Sequence, residues 1–81
     1  MAEWFGILDL SKRPADQAAA KRSDVLRRAE STGGDVFCES SGDTIVLRWH
    51  ATEDKTEAIA RIHDLVRVSP VDFRPGDPQR A

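Results

Sequence analysis

Two β-rich runs, DVFCES (35–40) and DTIVLRWHA (43–51), are separated only by Ser41 and Gly42. So short a connection forces antiparallel pairing, because parallel strands need a crossover of a dozen or more residues. Taking Ser41–Gly42 as the turn pairs Ser40 with Asp43, Cys38 with Ile45 and Phe37 with Val46. Alternation sets Ile45, Leu47 and Trp49 on one face against Val46, Arg48 and His50 on the other, and it divides Phe37 and Glu39 from Val36, Cys38 and Ser40.

The segments around this hairpin complete the pattern. EWFGILDL (3–10) alternates Trp4, Gly6, Leu8 and Leu10 against Phe5, Ile7 and Asp9, and apolar residues on both sides predict an internal strand. Ser11 is a candidate cap and Pro14 suits a first helical turn, after which Ala18, Val25, Leu26 and Ala29 form a stripe that stops at Gly33–Gly34. Thr52 is the expected cap of a second helix, with Glu53 and Asp54 in its first turn and Ala58, Ile59, Ile62 and Leu65 on its buried side. VRVSPVDF (66–73) reads as a last strand interrupted by Pro70, which belongs on a sheet edge or at a bulge; the strand order makes it an edge. The order β-α-β-β-α-β is that of an α+β, ferredoxin-like fold: a four-stranded antiparallel sheet, strand order 4-1-3-2, with two helices on one face. The expected division is a single domain over 1–74 and a polar tail over 75–81.

A chain of 81 residues supports one core, so any active site would be shallow or shared between subunits. No apolar run approaches the roughly 20 residues that cross a bilayer. MAEWFGILDL carries an acid where a secretion leader carries bases, which makes a cytoplasmic location the expectation. The single cysteine rules out an intrachain disulfide and a multi-cysteine zinc site. The net charge of -2 describes a small acidic protein, but the charge is segregated. Lys12 to Arg28 holds six bases against two acids, whereas Glu30 to Asp64 holds eight acids against three bases. Solvated helix faces account for such clusters first, and steering of a partner second.

The chain resembles the small GYD-type domains and their relatives among the dimeric α/β barrels. The likeness lies in a long first helix ending in Gly33–Gly34, a hairpin with Gly42–Asp43 before an apolar strand, a short second helix and a VRV-type last strand. The family's Gly-Tyr-Asp/Glu-Asp stretch is reduced here to Gly42–Asp43, and the chain has no tyrosine. The resemblance implies pairing of sheets face to face and dimerisation, with no particular activity.

No residues form a coherent catalytic set. Cys38 and His50 share the hairpin, and a thiol beside an imidazole is the minimum of nucleophilic catalysis, but the pairing sets them far apart along it. Cys38 is expected to be structural. Asp9, Asp35, Asp43 and Asp72 have no spacing that would gather them around a metal. The leading expectation is therefore a non-enzymatic protein-interaction module, a regulator, adaptor or inhibitor, with no cofactor, engaging a protein partner, a second copy of itself, or both. Its candidate contact residues are Trp4, Phe5, Val46, Trp49 and His50 on the sheet, with Arg22, Arg27, Arg28, Glu53, Asp54 and Glu57 on the helices. One alternative is a ligand-binding or enzymatic barrel domain with a pocket between the open sheet face and a second subunit, lined by Trp4, Phe5, Val46, Trp49 and His50. Another is nucleic-acid binding through the basic first helix, which the acidic remainder disfavours, or mimicry of nucleic acid by Glu39, Asp43, Glu53, Asp54 and Glu57.

Overall fold

The structure, a computed structural model, describes residues 1–76. Its elements run β1 (Ala2–Asp9), α1 (Ala15–Ser31), β2 (Val36–Ser41), β3 (Thr44–Ala51), α2 (Lys55–Val66) and β4 (Phe73–Pro75). The four strands form one antiparallel sheet in the order β2-β3-β1-β4, the ferredoxin-like arrangement expected, with β1 internal and β4 at an edge.

The two faces of the sheet differ sharply. Trp4, Leu8, Val36, Ile45, Leu47, Trp49 and Phe73 join Ala18, Val25 and Ala29 of α1 and Ala58, Ile62 and Val66 of α2 in one buried cluster. The two tryptophans are direct cross-strand neighbours, and each is 1% exposed. A buried indole N–H needs an acceptor. Trp4 Nε1 donates to the Thr52 carbonyl at 2.8 Å and Trp49 Nε1 to the Ala58 carbonyl at 3.0 Å. Both bonds end at the entry to α2, so they seat that helix as well as satisfy the rings. Beside them the Phe73 ring approaches Trp49 at 5.9 Å and occupies the space a side chain at position 6 would need: a Cβ on Gly6 would lie 2.3 Å from Phe73 Cζ.

Several boundaries differ from the sequence expectation. The hairpin turn is Gly42–Asp43, so Ser41 pairs with Thr44, Cys38 with Leu47 and Phe37 with Arg48. Gly42, at φ +60, supplies the left-handed conformation that such a tight turn demands. The shift changes every pair by two residues and therefore leaves every side chain on its expected face. Pro14 rather than Ser11 precedes α1, without a side-chain cap, while Ser11 N–H donates to Asp9 Oδ1 in a turn before it. Asp54, not Thr52, caps α2, accepting from the Glu57 N–H at 3.1 Å.

The largest correction falls at the C-terminal end. Val66 continues the four-residue spacing of Ala58 and Ile62, so it belongs to α2, which ends at left-handed Arg67. Pro70 sits in a turn, and the last strand is three residues long and ends at Pro75. Arg13 holds this turn against the start of the chain: its Nε donates to both Asp72 carboxylate oxygens at 3.0 and 2.8 Å, while the Asp72 carbonyl accepts from Asp9 N–H at 2.9 Å. Of the expected tail, Pro75 pairs with Gly6 and Gly76 N–H donates to the Phe5 carbonyl at 2.7 Å. Residues 77–81 lie outside the described residues.

Two substitutions test the packing. Trp49→Glu places a carboxylate in a fully buried site at a cost of about 5 kcal/mol or more, comparable with the whole stability of a small domain. It is expected to abolish the cooperative thermal transition followed by circular dichroism. Gly6→Ala forces its methyl into the Phe73 ring and should destabilise by about 1–3 kcal/mol in urea titration, with the fold retained.

Candidate interaction surface

Because both helices cover the face that carries Trp4 and Trp49, the opposite face is open. Alternation delivers Glu3, Phe5, Ile7 and Asp9 from β1, Val46, Arg48 and His50 from β3, Phe37 and Glu39 from β2 and Arg74 from β4 to this side. The strand register arranges them in rows across the sheet. One row runs Glu39, Val46, Ile7, Arg74; its neighbour runs Phe37, Arg48, Phe5 and then Gly76. Phe37 is 64% exposed and Ile7 40%, while Phe5 and Val46 are half-buried. The Phe5 ring leans across the backbone at Gly76, where a Cβ would meet it at 2.7 Å. The Arg48 guanidinium lies over the Phe37 ring, 5.0 Å from its centroid, an arrangement that holds a cation on an aromatic face without withdrawing it from contact. At one end of the face His50 Nε2 stands 3.7 Å from Glu3 Oε2, and a cleft of about 200 Å³ opens between Glu3, Phe37, Arg48 and His50. Its volume is below the roughly 300 Å³ at which small-molecule sites begin.

The expected contact residues separate into three groups. Phe5, Val46 and His50 belong to the open face. Trp4 and Trp49 do not: they are core residues, so neither can line an exposed contact surface or stack a ligand. Sequence alternation leaves undecided which side faces the helices, and the bulk of the Trp4, Leu8, Ile45, Leu47 and Trp49 set decides it. Of the helical charges, Arg22, Arg27, Arg28, Asp54 and Glu57 are engaged locally. Arg27 and Arg28 both bind the Asp24 carboxylate, at 2.6 and 2.9 Å, and Asp24 is held below its ordinary pKa by those hydrogen bonds, Arg28's first. Arg22 donates to the Gly42 carbonyl at 3.0 Å, bracing α1 on the hairpin turn. Asp54 and Glu57 serve the start of α2, Glu57 also accepting from Thr52 Oγ1 at 2.8 Å, and Glu53 is exposed beside them. Glu3, Ile7, Asp9, Phe37, Glu39, Arg48 and Arg74 complete the face. The same strand alternation identifies all of these but Arg74, which a last strand placed at 66–73 does not reach.

Cys38 and His50 lie on opposite faces of the sheet, so they cannot act as a nucleophile and its base. Cys38 is half-buried against the core, and burial pushes its thiol pKa up. Among the described residues no three His, Cys, Asp or Glu side chains gather where they could hold a metal ion, and no helix is long and apolar enough to cross a membrane. Comparison with protein-family models, with curated proteins and with solved structures returns no match.

The thiol provides a direct check. With a raised pKa and no neighbouring base among the described residues, Cys38 is expected to react with iodoacetamide at neutral pH much more slowly in the native protein than in urea. Equal rates would show an accessible, activated thiol instead.

Proposed function

We propose that this chain is a non-enzymatic protein-interaction module, a small regulator, adaptor or inhibitor that works by presenting the open face of its sheet. One observation carries this reading: a four-stranded sheet covered by helices on one side only, with Phe5, Ile7, Phe37 and Val46 clustered on the other among charges of both signs. An apolar centre rimmed by polar and charged groups is the anatomy of a protein contact, in which the centre supplies affinity and the charges supply orientation. Solvent-facing sheet surfaces that have no partner are ordinarily polar along their alternate positions. The basic first helix supports nucleic-acid binding less well, since Arg27 and Arg28 share the Asp24 carboxylate and Arg22 is held on the hairpin turn. Of the acids at the start of α2, Asp54 caps the helix and Glu57 accepts from Thr52 Oγ1.

Paired baits test the reading. The double change Ile7→Glu, Phe37→Glu alters exposed and half-exposed positions and should leave the circular-dichroism spectrum unchanged. Proteins retained from native extract by the wild type should be lost from this variant and kept by an Arg27→Ala, Arg28→Ala control. Retention by all three baits alike would sink the proposal.

A further inference from the structure

Apart from the open face, the outer border of β2 presents a second surface. The tight Gly42–Asp43 turn closes on a hydrogen-bonded pair, Ser41 with Thr44, and such pairs alternate along an antiparallel ladder. Phe37, Glu39 and Ser41 therefore turn their N–H and C=O groups toward β3, while Val36, Cys38 and Ser40 turn theirs outward. The Val36 N–H fits this phase, since it donates to Thr32 Oγ1 at 3.2 Å, outside the ladder. The Val36 carbonyl and both backbone groups of Cys38 and Ser40 make no backbone bond to another element among the described residues. Alternation puts the side chains of these same three residues on the helix side of the sheet. There a groove of about 360 Å³ runs between β2 and α1, with Leu26, Ala29, Val36 and Cys38 along it and Glu30 at its rim. Leu26 and Cys38 are only half-buried in it.

We propose that this border and its groove bind an extended, basic segment of a partner protein, added to the sheet as a strand antiparallel to β2. Antiparallel pairing lets one residue of the newcomer exchange both hydrogen bonds with Cys38. The side chain of that residue falls on the helix side, over the groove, so an aliphatic group there is buried against Leu26 and Ala29. The preceding residue lies opposite Glu39 on the open-face side, and the residue two further on lies opposite Val36, beside Glu30. Charge selects what stands at those places. Glu30, Asp35 and Glu39 are exposed along this border, and none forms an ion pair among the described residues. Arg22, the base at the turn end, already donates to the Gly42 carbonyl and stands 4.0 Å from Asp43. The border thus suits lysine or arginine opposite Glu39 and beside Glu30, with an aliphatic side chain between them.

The probe is the blocked peptide acetyl-Thr-Lys-Ile-Thr-Lys-Thr-amide, titrated to millimolar concentration into the isotopically labelled full chain and followed by NMR. Its isoleucine is the residue opposite Cys38. Binding should slow amide exchange at Cys38 and Ser40 and leave Val36, already bonded to Thr32, nearly unchanged. The same peptide N-methylated at isoleucine cannot donate to the Cys38 carbonyl and should bind about tenfold or more weakly, with the protein itself unaltered. Glutamate at both lysine positions should weaken binding about tenfold or more, and the double variant Glu30→Lys, Glu39→Lys should recover it for that acidic peptide. Ser40→Pro deletes an outward donor that the hairpin ladder does not use, so it should lose the peptide while the circular-dichroism spectrum is kept. No binding at millimolar peptide, equal binding of the N-methylated form, indifference to charge, or full binding by a folded Ser40→Pro variant would each overturn the proposal. Shifts confined to Phe5, Ile7 and Val46 would overturn it in favour of the open face and leave the function proposed above standing. Protection of Cys38 and Ser40 that rises with protein concentration alone would overturn it in favour of a second copy.

Discussion

The cross-strand pair Trp4–Trp49 decides most of this architecture. Two indoles are the largest apolar groups in the chain, and placing both on one face of adjacent central strands commits that face to burial. Their N–H groups cannot be left unpaired there, and the two acceptors they find, the carbonyls of Thr52 and Ala58, lie on the segment that leads from β3 into α2. The rings thus define the inner face, anchor the second helix over it and, by exclusion, leave Phe5, Ile7, Val46 and Phe37 outside. The exposed apolar group is a consequence of where the tryptophans went.

How much of this is readable in the sequence depends on the kind of signal. Period-two alternation in β1 and in the hairpin reports the strands, their faces and the internal position of β1. Which face is inner is not in the alternation, because both sets contain apolar residues; it is a property of the assembled layer, where volume and indole hydrogen bonds count together. The hairpin register is ambiguous by one turn position, since Ser41–Gly42 and Gly42–Asp43 are both acceptable dipeptides and only the φ of Gly42 separates them. The end of α2 is misleading because Val66 and Val68 alternate as in a strand, whereas Val66 continues the helical spacing of Ala58 and Ile62. Arg13 and Asp72, 59 residues apart, carry no local mark of their ion pair. The face residue Arg74 is lost to a sequence reading together with the true position of that strand.

The open face also clarifies why charge segregation along the chain is a poor guide to surface chemistry. On α1 Arg27 and Arg28 share the Asp24 carboxylate and Arg22 reaches the hairpin turn, while at the start of α2 Asp54 caps the helix and Glu57 accepts from Thr52 Oγ1. What the open face itself carries is a mixed set, Glu3, Asp9, Glu39, Arg48, His50 and Arg74, drawn from four strands. A net charge near zero at such a face gives little long-range attraction, and its contribution is to fix orientation at contact distance.

The brevity of β4 has an effect of its own. A sheet edge is a template on which further strands can polymerise, and a chain with a sticky face and two open edges would risk growing into fibres. Here one border is three residues long and closes on Pro75, which has no N–H to offer a newcomer. On the other border the Val36 N–H is already taken by Thr32 Oγ1 at 3.2 Å, so β2 begins with its first outward donor spent. Strand addition is therefore discouraged most at the β4 margin, while the β2 margin starts with one donor fewer to offer a newcomer.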